Sequence, residues 1–326
     1  MAKPGEINAD VSGKVISKDH TNMSGRMQDA LARIHGSIWA MREQSLPSVL
    51  QRVGVAFGID DKPAEPEIVT EVPACNESSI PRLPKVGGRI GVIRIRGVIG
   101  QHRDNDYWSD TTTDWIEAQI STLFGSPAIG AIVLDIDSPG GIVYGTPELA
   151  DMIQAVREIK PIYTLANGMA ASAAYWLGAQ GTKVYATPSS EVGSIGVWSA
   201  HGDFSKAYED MGVKMTLVSA GEFKTEGNPW EPLSDAAKAD MQASVDRYHD
   251  MFLAAVAAGR GATKATVRDT YGRGRLMGAE AAKAAGMIDG IATLPELLAG
   301  IMKPAKIGNR LATASAAIAL ERAMNN

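Results

Sequence analysis

Residues 131–179, AIVLDIDSPGGIVYGTPELADMIQAVREIKPIYTLANGMAASAAYWLGA, alternate between β-branched apolar runs and helical patterns. AIVLDID at 131–137 and PIYTLA at 161–166 each predict a buried strand. A turn follows each strand, SPGG at 138–141 and NGM at 167–169, and each turn leads towards a helical segment. The alternation predicts an α/β layer fold, in which adjacent parallel strands end at the same edge of the sheet.

The first helical segment, TPELADMIQAVREI, has a clear start signal. Thr146 is predicted as its N-cap and Pro147 as its first residue, which are favoured residue types at these positions. Gly140 and Gly141 therefore lie in the connection that leaves the first strand.

Ser172 lies at the second strand-to-helix junction, surrounded by alanine and glycine. Larger apolar side chains would fill a buried helix better, so the small residues suggest that another backbone must come close. An Ala-rich helix packed tightly against a neighbour is the alternative interpretation. A serine at the positive end of a helix, with glycine N–H groups nearby to receive an oxyanion, suits nucleophilic catalysis.

A nucleophilic serine needs a base, and two residues are candidates. His201 follows GSIGVWSA, but no acidic residue is placed to orient it. A lysine in crowded, desolvated surroundings can instead lose its proton near neutral pH. Lys224 follows a strand-like KMTLV at 214–218 and precedes a Gly/Pro loop, so it is the preferred candidate, although most lysines are solvated surface residues.

Composition excludes several classes of protein. The 326 residues are 45% hydrophobic and 21% charged, which is typical of a soluble globular chain. Basic and acidic residues number 32 and 37, without a basic block, so nucleic acid is not an expected partner. The single cysteine, Cys75, excludes an internal disulfide, and no Cys/His spacing suggests zinc. We expect no membrane anchor and a cytoplasmic location, because neither a signal core nor a long apolar run occurs.

Composition also changes along the chain and predicts four parts. Residues 1–58 form a helical N-terminal extension, because 23–57 carry apolar residues at helical spacing. The Pro-rich and charged residues 59–88 form a linker. The α/β domain covers 89–300 and includes a long helix over 234–259, and residues 301–326 form an Ala-rich helical tail.

Five segments of the chain form a distinctive set: IGVIRIRGVI, VLDIDSPGG, GMAASAAYWLGAQGTKVYATPSSEVGSIGV, SAGEFKTEGNPWEPLS and GRLMGAEAAKAAGMIDGIA. They occur in the order and at about the spacing seen in the signal peptide peptidase A family of serine proteases. The chain resembles that family over roughly residues 85–295. The resemblance implies a Clp/crotonase-type layered fold built from repeated ββα units.

The resemblance also implies a Ser/Lys dyad and its supporting residue. It aligns Ser172 with the family's nucleophile and Lys224 with its general base. Ser194, in GSIG, aligns with the residue that hydrogen-bonds the lysine. No cofactor and no metal are implied for this chemistry.

An oxyanion hole follows from the same resemblance. Its donors are the N–H groups of Gly141 and Ala173, with Gly140 beside them. The chain departs from the family in reading Ala173-Ala174-Tyr175 where Gly-Gly-Tyr is usual. This departure narrows the approach to the serine without removing an N–H donor.

The N-terminal stretch RIHGSIWAMREQSLPSVLQRV resembles the extension on capsid-assembly proteases of tailed phages and prophages. That branch implies scaffold, capsid or portal proteins as substrates, whereas a soluble housekeeping peptidase is the alternative. A crotonase-type acyl-CoA enzyme and an inactive assembly factor are alternatives of another class. Family members with a single domain complete the dyad between neighbouring protomers, so we expect a ring-shaped homo-oligomer here.

Overall fold

The computed structural model describes residues 38–41, 67–69, 86–103 and 109–302. Its strands are β1 (Ile38–Met41), β2 (Glu67–Val69), β3 (Arg89–Gly100), β4 (Thr111–Thr112), β5 (Ile129–Ile142), β6 (Ile162–Ala171), β7 (Lys183–Ala186), β8 (Glu191–Gly193), β9 (Trp198–Ser199), β10 (Leu276–Gly278) and β11 (Gly290–Ile291). Its α-helices are α1 (Thr113–Gly125), α2 (Thr146–Arg157), α3 (Ala173–Gly178), α4 (Ser205–Asp210), α5 (Asp235–Arg260), α6 (Lys264–Thr270), α7 (Ala279–Ala285) and α8 (Leu294–Ile301).

The centre of the molecule is a parallel sheet in which β5 lies between β3 and β6. Leu134 of β5 is opposite Ile93 on one side and Thr164 on the other, and all three side chains are buried. A strand covered on both faces is expected to be a continuous run of apolar residues, as AIVLDID is. The predicted mixed α/β fold, of a kind consistent with the Clp/crotonase class, is confirmed.

Both faces of the sheet are covered. Helices α1, α2, α3 and α5 pack on one face, through apolar side chains that include Ile116, Ile153, Trp176 and Phe252. The smaller core on the other face includes Leu297 of α8. This layering follows from the amphipathic pattern of each helix, whose apolar stripe must be buried against the sheet.

Strand β5 does not end where the sequence predicted. It continues through SPGG to Ile142, with Val98 opposite Gly140 and Ile99 opposite Gly141, so the predicted turn is wrong. A Cβ on Gly141 would lie only 1.8 Å from the Ile99 carbonyl oxygen, so glycine permits this close strand approach. Local turn propensity is therefore overridden by pairing with β3.

The helix boundaries are close to those predicted. Helix α2 begins at Thr146, and its N-cap is Gly145 in a left-handed conformation, so Thr146 is one residue inside the helix rather than its cap. The Thr146 hydroxyl instead donates to the Ile142 carbonyl, at 3.0 Å. Helix α5 confirms the predicted long helix, and the Ser234 side chain caps it by accepting the Ala237 N–H at 3.1 Å.

Four sequence predictions fail or fall outside the described residues. Residues 38–41 are a strand rather than part of a helix, and the rest of 1–58 is outside the described ranges. The predicted linker contains β2, and residues 214–218 do not form a strand. The predicted tail lies outside the described residues from 303 onwards. Within the described ranges, no helix is both long enough and apolar enough to cross a membrane.

Asp289 ties the end of α5 to β7. Its carboxylate accepts from the Arg260 guanidinium at 2.8 Å, from the Lys183 ammonium at 2.9 Å and from the Val184 N–H at 2.8 Å. Burial alone would raise the pKa of Asp289, but the Arg260 hydrogen bond and charge, with the other donors, outweigh it and hold the pKa below its ordinary value. The carboxylate therefore stabilises the fold above about pH 4, and this stabilisation is lost as the pH falls through the lowered pKa.

Replacing Asp289 with asparagine should lower the free energy of unfolding by about 2 kcal/mol near neutral pH, because Arg260 loses a charged hydrogen-bond partner. Urea unfolding followed by circular dichroism measures the loss. The difference from the unmodified protein should shrink as the medium becomes acidic enough to protonate Asp289. Asp210→Asn is the control, because Asp210 is exposed and its pair with Lys206 is worth less than about 0.5 kcal/mol. An equal loss in both variants would contradict the assignment.

Candidate active site

Ser172 is held in a strained backbone conformation between β6 and α3. Its φ is 54° and its ψ is −121°, a region that non-glycine residues rarely adopt and that costs about 1–3 kcal/mol. Two hydrogen bonds fix the turn: the Ser172 N–H donates to the Gly193 carbonyl at 2.7 Å, and the Trp176 N–H donates to the Ser172 carbonyl at 2.8 Å. The strain is therefore imposed by β8 on one side and by the first turn of α3 on the other.

The hydroxyl of Ser172 makes one long hydrogen bond. The residue is 1% exposed, and its Oγ donates to the Gly196 carbonyl over a long 3.4 Å. Gly196 also lines a cavity of about 280 Å³, together with Leu253, Val267 and Arg273. The Ser172 hydroxyl therefore contacts a residue of the cavity lining.

Gly140 lies directly against the two residues that flank Ser172. It has a φ of +99°, and a Cβ there would lie 2.9 Å from the Ala171 carbonyl oxygen and 3.0 Å from the Ala173 amide nitrogen. The Gly140 N–H donates to the Ser138 hydroxyl at 3.1 Å. Only a residue without a side chain fits this position, which explains why β5 carries glycine where it passes α3.

The two other predicted oxyanion residues have different surroundings. Ala173 is the first residue of α3, and its N–H has no partner inside the helix. Gly141 lies in the ladder between β3 and β1, opposite Ile99 and Ala40. The structure thus brings Gly140 against Ala173, with Gly141 one residue further along β5.

Ser194 lies near Ser172 because β6 and β8 pair side by side up to Ala171 and Gly193. It follows Gly193, the residue whose carbonyl accepts the Ser172 N–H, and its own N–H donates to the Arg275 carbonyl at 2.9 Å. Its φ of 53° is again unusual for a non-glycine residue. Two strained serines therefore meet where β6 and β8 end, one immediately before α3 and one immediately after β8.

Lys224 is not brought to Ser172 within one chain. It lies in the turn that follows Gly221, its N–H donates to the Gly221 carbonyl at 3.3 Å, and its side chain is exposed whereas Ser172 is buried. His201 does not reach the serine hydroxyl either, since its Nε2 lies 3.0 Å from the Asn228 carbonyl oxygen. Among the described residues, neither candidate base is hydrogen-bonded to the Ser172 hydroxyl of its own chain.

The segment between β9 and α5 that carries Lys224 has an apolar surface. Six large apolar side chains are exposed between residues 204 and 223, and Val218 is 94% exposed. Monomeric soluble proteins rarely expose so many large apolar side chains together. We refer to this group as the apolar segment surface; its members are Phe204, Met211, Val213, Met215, Val218 and Phe223.

The sequence did not reveal two features of the site. Ser138 lies inside SPGG, and the hydrogen bond that its hydroxyl accepts from the N–H of Gly140, the first of the two glycines, was not anticipated. Strand β1, which pairs with Gly140, Gly141 and Ile142, was hidden in a stretch with helical spacing. No short-range signal marks β1, because its partners are about a hundred residues away in sequence.

A layered α/β fold with a mostly parallel central sheet and a tight strand-to-helix junction is consistent with the Clp/crotonase class. Comparison with known families matches residues 154–308 to Peptidase family S49. These residues therefore form a peptidase S49 domain, and the predicted relationship to the signal peptide peptidase A family is confirmed.

Individual relatives agree with this assignment. The chain is 37% identical over 164 residues to Capsid assembly protease C of Escherichia phage lambda, covering 50% of this chain and 37% of that protein. It is 34% identical over 179 residues to Head-tail preconnector protein GP5 of Enterobacteria phage P21, covering 54% and 36%. It is 30% identical over 224 residues to Protease 4 of Salmonella typhi, covering 68% and 35%. The chain thus spans little more than a third of the length of these relatives.

Proposed function

We propose that the protein is a serine endopeptidase in which Ser172 is the nucleophile. The observation that carries the proposal is the strained, buried Ser172 at the junction of β6 and α3, with Gly140 packed against the amide of Ala173. Strain of this kind is retained where function requires it. It holds the hydroxyl beside the cavity rather than letting it turn into a regular helix or strand.

In the proposed mechanism, the Ser172 oxygen attacks the carbonyl carbon of a peptide bond and its proton passes to an unprotonated Lys224. The N–H groups of Ala173 and Gly141 donate to the resulting oxyanion, and Gly140 allows their close approach. The lysine then protonates the departing amine. Water hydrolyses the acyl-enzyme, with the lysine as base, and restores the serine.

Lys224 comes from a second copy of the chain in this proposal. Its side chain is exposed, whereas the serine that it must reach is buried in the same chain. The apolar segment surface supports the proposal, because a neighbouring copy would cover these side chains while it received the lysine. Ser194, close to Ser172, would then hydrogen-bond the incoming lysine amine. The resulting assembly is a closed homo-oligomer, in which every copy gives one lysine and receives another.

The proposed substrates are scaffold, capsid or portal proteins during maturation of a phage head. This finer proposal is supported by the names of the two phage relatives, a capsid assembly protease and a head-tail preconnector protein. The relation to Protease 4 supports the broader activity on proteins without the phage setting.

Incubation of the purified chain with fluorescently labelled casein tests the activity. We expect release of labelled peptides that is unchanged by EDTA, because a Ser/Lys mechanism uses no metal. Hydration of crotonyl-CoA is measured in parallel. Acyl-CoA hydration without proteolysis would identify an acyl-CoA enzyme instead, and the absence of both activities would favour an assembly factor.

A further inference from the structure

Strand β1 occupies the sheet edge that β6 leaves open beside the nucleophile. The pairing of β6 with β5 ends at Ser138 opposite Ala170, after which β6 turns to deliver Ser172. From Gly140 onwards the same edge of β5 is taken by β1, which runs antiparallel to it. On its other side β1 pairs antiparallel with β9. Four residues of the N-terminal part thus fill a slot between two strands of the peptidase domain.

The backbone of β1 approaches the predicted oxyanion site closely. A Cβ on Gly140 would lie 2.3 Å from the Ala40 carbonyl oxygen and 3.0 Å from the Ala173 amide nitrogen. Both atoms therefore border the same small space next to Gly140. The Ala40 carbonyl oxygen and the Ala173 amide nitrogen thus lie on either side of Gly140, near the place where the proposed mechanism requires a substrate carbonyl.

Two tryptophans hold β1 in the slot. The rings of Trp39 and Trp198 stack with centroids 6.2 Å apart and an interplanar angle of 21°. The Trp198 indole N–H donates to the Met41 carbonyl at 2.9 Å. Trp39, Ala40 and Met41 are each at most 2% exposed. The buried, stacked Trp39 ring anchors β1 through a side chain, and the hydrogen bond to the Met41 carbonyl anchors it through the main chain.

An extended segment that pairs antiparallel with strands on both sides is a common way for a protein to bind a peptide. Main-chain hydrogen bonds provide affinity for peptides of almost any sequence, and the peptide side chains determine specificity. The slot between Gly140–Ile142 and Trp198–Ser199 has this geometry and leads to Ser172. A peptide substrate and β1 cannot occupy the slot together.

We propose that β1 is an intramolecular pseudosubstrate that closes the peptide-binding slot until it is displaced. This inference rests on the proposed peptidase function and adds a regulation of the same site. Because β1 is covalently attached, it competes at a high effective concentration with any substrate. The apparent affinity for a substrate falls in proportion to the fraction of molecules in which the slot is open.

The test compares Trp39→Ala with the unmodified protein on a short fluorogenic peptide. Loss of the stacked indole should open the slot and lower KM by about tenfold, with kcat changed little. Ile68→Ala is the matched control, because Ile68 is an apolar residue of another short N-terminal strand, is 49% exposed and pairs away from the site. The control should keep the original KM. An unchanged or higher KM in Trp39→Ala would overturn the proposal and make β1 a wall of the site.

A binding measurement separates this inference from the proposed catalysis. Fluorescence anisotropy follows a labelled peptide of sequence IWAM added to Ser172→Ala protein with and without Trp39→Ala. We expect about tenfold tighter binding when Trp39 is replaced, whether or not any variant hydrolyses peptides. Equal binding to both proteins would overturn the inference even if casein is cleaved.

A second variant keeps the inference testable if Trp39→Ala does not fold. Ala40→Asp places a carboxylate at a position that is 0% exposed, so β1 must leave the slot to hydrate the charge. Thermal unfolding confirms that each variant is folded before its KM is measured. If Ala40→Asp is folded and gains no affinity for the IWAM peptide, β1 does not compete for the slot.

Discussion

Replacing Ser172 with alanine is expected to abolish peptide hydrolysis, with kcat/KM reduced by about a thousandfold or more. The reason is chemical, because the substitution removes the only atom that forms the acyl-enzyme in the proposed mechanism. The fold should be retained, since the hydroxyl makes one long hydrogen bond and alanine fits among Ala171, Ala173 and Ala174. Casein hydrolysis and thermal unfolding, measured on the same preparation, check both expectations.

Ser121→Ala is the matched control for this experiment. Ser121 lies on an exposed face of α1, so the same change there should affect neither activity nor stability. Full activity of the folded Ser172→Ala variant would refute the assignment of the nucleophile. Loss of activity together with loss of the folded state would mean that the variant reports on stability, and the Ser172→Cys variant would then replace it.

Mixing two inactive variants should restore activity if the dyad is shared between copies. Ser172→Ala keeps the lysine, and Lys224→Ala keeps the serine. In a randomly mixed oligomer, a site is complete when its serine and its lysine come from the appropriate chains, so about a quarter of the original activity should return at an equal ratio. Activity is measured after the subunits have been exchanged under mild dissociating conditions, with exchange followed by fluorescence energy transfer.

The control mixture combines Ser172→Ala with the double variant Ser172→Ala, Lys224→Ala and should stay inactive, because no chain carries the serine. Lys206→Ala controls for loss of an exposed lysine and should keep its activity, since Lys206 is exposed on α4. Demonstrated subunit exchange without restored activity would place both residues of a site in one chain.

Local patterns predicted the central part of the fold because its strands and helices are regular. The β-branched run in β5 and the Ala-rich start of α3 need no distant partner to be recognised. By contrast, SPGG has the composition of a turn, and only pairing with β3 makes it a strand. Residues 38–41 lie in a stretch with helical spacing, and their strand conformation depends on partners in β5 and β9.

The part of the candidate site that lies on the sheet was predictable from the sequence, whereas the position of Lys224 was not. Four predicted site residues come together because each lies at or near the end of an element whose neighbours are set by the sheet. They are Ser172, Gly140, Ala173 and Ser194. Lys224 does not join them, because it lies on a segment without a core of its own. The run KMTLV looked like a strand, yet two of its apolar side chains, Met215 and Val218, are exposed, and Val218 is the extreme case. If a second copy covers these apolar side chains, as proposed, the sequence of one chain does not show which surface they contact.

Helix α5 gives the proposed assembly a length scale. Its C-terminal part packs against α3, the helix that follows Ser172, where Phe252 stacks on Trp176 with ring centroids 4.4 Å apart. At a rise of about 1.5 Å per residue, the start of the helix at Asp235 lies about 26 Å from that stack. Helix α5 therefore sets the distance between Ser172 and the Lys224 loop of the same copy. In the proposed assembly, that loop gives its lysine to a neighbouring copy. In a closed ring of the proposed kind, the length of α5 would set the distance between neighbouring subunits and, with it, the diameter of the ring.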